Sequence, residues 1–119
     1  MPKVLFVDDE DDIRTIAQIA LEPEFTVTPA ASGAEALACV ARERPDVVVL
    51  DVMMPEVDGY ETLRRMRELP NGTAPVVLLT AKLVDFTDEL RAQGVVAVMK
   101  KPFDPLGLPS RLRGWLRTG

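Results

Sequence analysis

The chain has 119 residues, a length that suits one ordinary domain with a core that needs no disulfide. Its apolar residues, 47% of the total, fall in short runs, far below the ~20 consecutive apolar residues of a membrane helix. A net charge of −5 opposes direct binding to nucleic acid or an acidic membrane, and the lack of histidine excludes Ser-His-Asp triads, Cys-His pairs and HExxH zinc sites.

In chain order, Val4–Val7 reads as a first strand that runs straight into Asp8-Asp9. The apolar run is too short for an export signal, so a cytoplasmic protein is expected. Ile13, Ile16, Ala17, Ala20 and Leu21 then repeat at the spacing of an amphipathic helix, with Asp11 and Asp12 favouring its N-terminus. Phe25–Val27 is a second strand, and the alternation through Thr28 suits an edge. Leu37, Val40 and Ala41 mark a second helix, in which the lone Cys39 is a small apolar residue.

Val47–Leu50 forms a third strand ending on Asp51. Asp58-Gly59 is a turn signal, after which Tyr60, Leu63, Met66 and Leu69 line one side of a short helix that stops at Pro70. Val76–Leu79 leads into Thr80, and a weaker helical stretch with Leu83, Phe86 and Leu90 reaches Gln93, with Gly94 as its stop. Val95–Met99 leads into Lys100-Lys101. Residues 104–108 read as a turn before a last helix with Leu108, Leu112, Trp115 and Leu116, where Pro109 fits the first turn. Arg111, Arg113 and Arg117 suit the solvated C-terminal half of that helix better than a nucleic-acid stripe.

Five βα units in strict alternation predict an α/β fold, a doubly wound five-stranded parallel sheet with five helices on its two faces. Four of the five strands would deliver polar residues to one edge: Asp8-Asp9, Asp51, Thr80 and Lys100-Lys101. Ligands of open α/β sheets bind outside the carboxyl ends of the strands. Converging carboxylates need a cation, and Mg²⁺ suits an all-oxygen site that keeps waters. A phosphoryl group moving between two oxygens needs its charge neutralised by metal on one side and by ammonium and hydroxyl on the other. Lys101 and Thr80 can supply those, and Asp51, on the central strand, is the natural nucleophile. Each acid taken singly is a routine helix cap or loop charge; the joint placement favours a site.

The motifs resemble receiver domains of bacterial two-component response regulators from Lys3 to about Leu116. Val7-Asp8-Asp9-Glu10 is similar to the acidic pair, Asp51 through Gly59 to the phosphoacceptor loop, Thr80-Ala81 to the switch threonine and its small neighbour, and Lys101-Pro102-Phe103 to the lysine motif. The resemblance implies the flavodoxin-like strand order 2-1-3-4-5. It implies Mg²⁺ held by Asp9, Asp51 and the carbonyl of Met53, with Asp8 acting directly or through water. Lys101 would contact Asp51, and the Lys101–Pro102 bond would be cis. Val98 departs from the aromatic residue common three places before the lysine. Met53 and Lys82 take the variable positions beside the phosphoryl site, and the apolar Met53 is expected to order attacking water poorly and prolong the phosphorylated state.

The expectation is therefore a stand-alone receiver domain over residues 1–119, no enzyme beyond its own phosphorylation and dephosphorylation. Its partners would be a histidine kinase or histidine phosphotransfer protein and an unidentified protein target, with no direct contact to nucleic acid or membrane. The alternative on the same fold is a vestigial receiver acting as a phosphate-independent interaction module. Two enzyme and cofactor readings fit less well: Asp8-Asp9-Glu10 is not the DxD of haloacid dehalogenase-type phosphatases, and an acidic first loop would repel the phosphate of FMN.

Overall fold

Valine-rich runs, whose branched side chains suit a pleated surface covered on both sides, form the strands. They are β1 (Lys3–Val7), β2 (Thr26–Ala30), β3 (Val47–Asp51), β4 (Val76–Thr80) and β5 (Val95–Lys100). Between and after them lie α1 (Asp11–Leu21), α2 (Gly33–Glu43), α3 (Gly59–Arg67), α4 (Asp88–Ala92) and α5 (Leu108–Thr118). This computed structural model describes residues 1–54, 58–82 and 86–118. Leu83 and positions 55–57 of the motif that follows Asp51 lie outside the described residues, as does the side chain of Arg117.

All neighbouring strands pair in parallel, as the alternation of elements predicts, in the order β2-β1-β3-β4-β5 that the receiver resemblance implies. Strand side chains alternate between two apolar layers. Val4, Phe6, Val47, Val49, Val77, Leu79 and Met99 face Ala17, Leu21, Leu108 and Leu112 of α1 and α5. Leu5, Val7, Val48, Leu50, Val76, Leu78 and Val95 face Ala36, Val40, Leu63 and Met66 of α2 and α3, with Phe86 and Leu90 packed alongside. Among the described residues, no helix is long and apolar enough to cross a membrane.

Several local expectations shift. β2 starts after Phe25 and continues through Pro29 to Ala30; it is an edge strand, where a residue without an N–H is tolerated. Phe25 is instead buried in the turn before it. On α1 the row four residues apart, Ile13, Ala17 and Leu21, faces the sheet, whereas Ile16 is 42% exposed. Ala41 is exposed on α2, and Tyr60 is exposed at the start of α3, where Thr62 is buried instead. α4 is five residues long, capped by Thr87 and stopped at Gly94, whose φ is +86°. Arg67 holds the end of α3 to the link between α4 and β5: Nη1 donates to the Gly72 carbonyl at 2.6 Å and Nε to that of Gln93.

Asp58 shows how the sequence starts α3 beside the β3 edge. Its Oδ1 accepts the Glu61 N–H at 2.9 Å, filling one of the donors a helix start leaves open. Asp58→Ala is expected to lower folding stability by about 1 kcal/mol; a urea midpoint matching that of the unaltered protein would show that the cap contributes nothing.

Candidate functional site

Parallel pairing brings the carboxyl ends of β1, β3, β4 and β5 to one edge, and backbone bonds carry the alignment one residue further. Asp8 N–H donates to the Ala30 carbonyl at 3.1 Å, Val52 N–H to Leu79 at 2.9 Å and Lys101 N–H to Thr80 at 2.7 Å. Asp8, Asp51 and Thr80 are buried at this edge, and Lys101 retains 14% of its side-chain exposure. Asp9, Glu10 and Met53 are exposed there.

The Lys101 ammonium is the internal cation. Its Nζ lies 2.7 Å from Asp8 Oδ2, 3.2 Å from Asp51 Oδ2 and 3.6 Å from Glu10 Oε1. The peptide between Lys101 and Pro102 is cis. Asp51 Oδ1 accepts the Met53 N–H at 3.1 Å. Burial first, and then the Asp8 charge, push the Asp51 carboxyl up to about 6, against the opposing pull of the Met53 N–H and Lys101. Burial works against the Lys101 ammonium, but hydrogen bonding and charge from Asp8 and Asp51 outweigh it and hold its pKa above the usual value. The Asp51 carboxyl thus keeps its proton more readily than usual even beside an ammonium, because the site is dry and a second acid stands next to it.

Carboxylate oxygens of Asp8, Asp9 and Glu10 lie within 4.8 Å of one another. This donor set is all hard oxygen, with one buried member and two open to water, which fits a hard divalent cation that keeps part of its hydration shell. The buried Asp8 Oδ2 is met by the Lys101 ammonium at 2.7 Å, so the one cation within the site is shared among its acids. The sequence reading placed Asp8, Asp9, Asp51, Thr80 and Lys101 at one edge, and they stand there. It did not single out Glu10 as a neighbour of Lys101; the signal was its place in the acidic run.

Thr80 Oγ1 is turned to the following loop: it donates to the Lys82 carbonyl at 2.9 Å and lies 3.2 Å from the Lys82 N–H. Its hydroxyl is therefore satisfied, and any new partner for it at the sheet edge must be taken in exchange for the loop backbone. Val98, on β5, is half-buried against the core layer that holds Leu78.

The family described as the response regulator receiver domain matches residues 4–113. The chain is 37% identical over 121 residues to the transcriptional regulatory protein AfsQ1 of Streptomyces coelicolor, covering 100% of this chain and 53% of that protein. It is 39% identical over 117 residues to the alkaline phosphatase synthesis transcriptional regulatory protein PhoP of Bacillus subtilis, covering 97% and 48%. The chain thus spans about half the length of these curated relatives. Among solved structures it resembles the chemotaxis protein CheY4 of Vibrio cholerae, with a TM-score of 0.84, 33% identity and coverage of 96% of this chain and 98% of that one. The receiver domain of a sensor histidine kinase from Pseudomonas aeruginosa, described with a magnesium ion coordinated in its active-site cleft, gives a TM-score of 0.84 at 28% identity, covering 98% of each chain.

Proposed function

The chain belongs to the response regulator receiver domain family, and on that premise we propose that it is a phosphoryl-accepting switch of two-component signalling in which Asp51 takes the phosphoryl group. The observation that carries the assignment to Asp51 is its position: a buried carboxylate at the end of the central strand, with the Lys101 ammonium 3.2 Å away.

Asp9, Asp51 and the Met53 carbonyl would hold Mg²⁺, with Asp8 directly or through water and Glu10 adding negative charge at the rim. When bound, the ion neutralises the acids and the phosphoryl oxygens on one side. A carboxylate oxygen of Asp51 forms the new P–O bond as the donor's P–N bond breaks, and the electron pair leaves with the donor's nitrogen. That nitrogen belongs to a partner histidine kinase or phosphotransfer protein, because this chain has no histidine. Lys101 is already beside Asp51 and can shift from Asp8 onto a phosphoryl oxygen. Thr80 can give up the Lys82 carbonyl to donate its hydroxyl to another. That exchange couples chemistry at Asp51 to the backbone after β4, and so to the surface read by a protein target, as a population shift between two states. The fit is to a cytoplasmic protein.

The chemical test is the lability of the product. After incubation with labelled acetyl phosphate and Mg²⁺, hydroxylamine should strip the label, because acyl phosphates react with it and phosphothreonine does not. Label that survives hydroxylamine would mean a hydroxyl acceptor and would reject the proposal.

Met53 bears on how long the switch stays on. The residue is 70% exposed and its side chain apolar, so it offers no strong hydrogen bond to orient a water for attack on phosphorus. Met53→Asn is expected to speed dephosphorylation several-fold, within the roughly 10²-fold reach of a group that orients a nucleophile. A decay rate unchanged or slower, followed by loss of label, would contradict this.

A further inference from the structure

The loop that carries both acids, Asp8 to Glu10, is short and joins β1 to α1 without a side-chain cap from Glu10 at the helix start. Three restraints hold it, one of them within the loop. Asp8 N–H is bound to Ala30 of β2, and Asp8 Oδ1 accepts the Glu10 N–H at 2.9 Å. The third restraint comes from one turn into α1: Arg14 Nη1 donates to the Asp8 backbone carbonyl at 2.7 Å, while Nη2 pairs with Asp11. The Arg14 side chain is 17% exposed and that of Asp11 88%, so the guanidinium is held against the loop rather than drawn outward by its acid.

From this geometry we infer that Arg14 is a positioning residue for cation binding: its fork fixes the Asp8 carbonyl, and with it the direction in which the Asp8 and Asp9 carboxylates project. The inference rests on the receiver reading, in which those acids hold Mg²⁺. A planar fork suits this task because one arm can bond the carbonyl while the other is neutralised by Asp11, which limits repulsion between the guanidinium and an incoming cation. A bare field effect would run the other way, since a positive charge near the site disfavours a second one. The two roles therefore predict opposite signs.

The experiment is calorimetric titration of the full chain with MgCl₂ alone, for the unaltered protein and for Arg14→Lys, Arg14→Met and Asp11→Asn, with thermal midpoints recorded for each. Positioning predicts that both Arg14 variants bind Mg²⁺ roughly tenfold more weakly, the low end for partners that orient metal ligands. Their phosphoryl uptake from acetyl phosphate at saturating Mg²⁺ should stay within about twofold of the unaltered protein, since such a partner acts on affinity rather than on the reacting atoms. Asp11→Asn leaves the bond to Asp8 in place but removes the charge that offsets the guanidinium, so it should weaken Mg²⁺ binding by less than either Arg14 variant does. Unchanged Mg²⁺ affinity in Arg14→Lys, or tighter binding in a folded Arg14→Met, would overturn the inference. Absence of Mg²⁺ binding by the unaltered protein would instead overturn the receiver reading beneath it.

Discussion

Asp51→Asn should take up no phosphoryl group from acetyl phosphate and, in metal-free buffer near neutral pH, should be more stable than the unaltered protein. The first effect follows from removing the nucleophile. The second follows from electrostatics. Asp51 is raised from 3.8 to about 6, chiefly by burial and then by the charge of Asp8. The folded state therefore holds this proton more tightly than the unfolded chain does. That favours folding fully below about pH 4 and is lost as pH rises through about 6, costing about 3 kcal/mol once the carboxylate is charged. Asparagine keeps the shape without the charge but brings amide N–H donors that the buried site, beside the Lys101 ammonium, does not fully satisfy, so the net gain should be smaller, about 1–2 kcal/mol. Urea midpoints across the acid-to-neutral range would check it. The unaltered protein should lose stability over that window while the variant stays flatter, and saturating Mg²⁺ should narrow the gap. Equal or lower stability of the variant in metal-free neutral buffer would contradict a net cost of burying this charge.

Gly59→Ala should damage both stability and phosphoryl uptake, and more severely than its distance along the chain from Asp51 suggests. A Cβ at this position would lie 2.3 Å from the Asp51 carbonyl oxygen and 2.7 Å from the Val52 Cα. Both are backbone atoms, one of them in the central strand, so no rotamer change relieves the overlap. The approach is drawn close by the Gly59 N–H, which donates to the Val52 carbonyl at 2.9 Å. Displacing that segment also disturbs the bond from the Met53 N–H to Asp51. The expected loss is about 3 kcal/mol, the upper end for an overpacked site, together with a slower uptake rate at saturating Mg²⁺. An alanine variant with an unchanged urea midpoint would show that β3 yields here more easily than its burial implies.

The parallel sheet and the convergence on one edge are legible because they rest on robust signals, whereas the strand order comes only with the family resemblance. Continuous apolar runs mark strands covered on both faces, and a polar residue ending such a run in a parallel sheet can lie only at one edge. Asp51, Thr80 and Lys101 were readable in that way. Side-chain direction was less so. Ile16 and Tyr60 fit an apolar periodicity yet lie on exposed sides, because a helix on a sheet buries a narrow row and the sequence pattern covers a wider arc. The bounds of β2 differ by a residue or more at each end even though its alternation marks an edge strand, because Pro29 reads as a strand breaker and Phe25 as a strand residue. Partner choice within the site was hidden for another reason. Lys101 faces Asp8, Asp51 and Glu10 together, and it approaches Asp8 most closely. Chain order does not rank contacts made by a flexible ammonium. Arg14 left no mark in the sequence beyond being one more basic residue on a helix, since its role depends on a backbone carbonyl that carries no residue identity.

Intact-mass spectrometry after incubation with acetyl phosphate, in Mg²⁺ and in EDTA, tests most directly whether Asp51 is a metal-dependent phosphoacceptor. The expected result is one added phosphoryl group in Mg²⁺, none in EDTA and none in Asp51→Asn under either condition. An adduct that persists in Asp51→Asn, or no adduct in the unaltered protein with Mg²⁺ bound and rapid quenching, would contradict it.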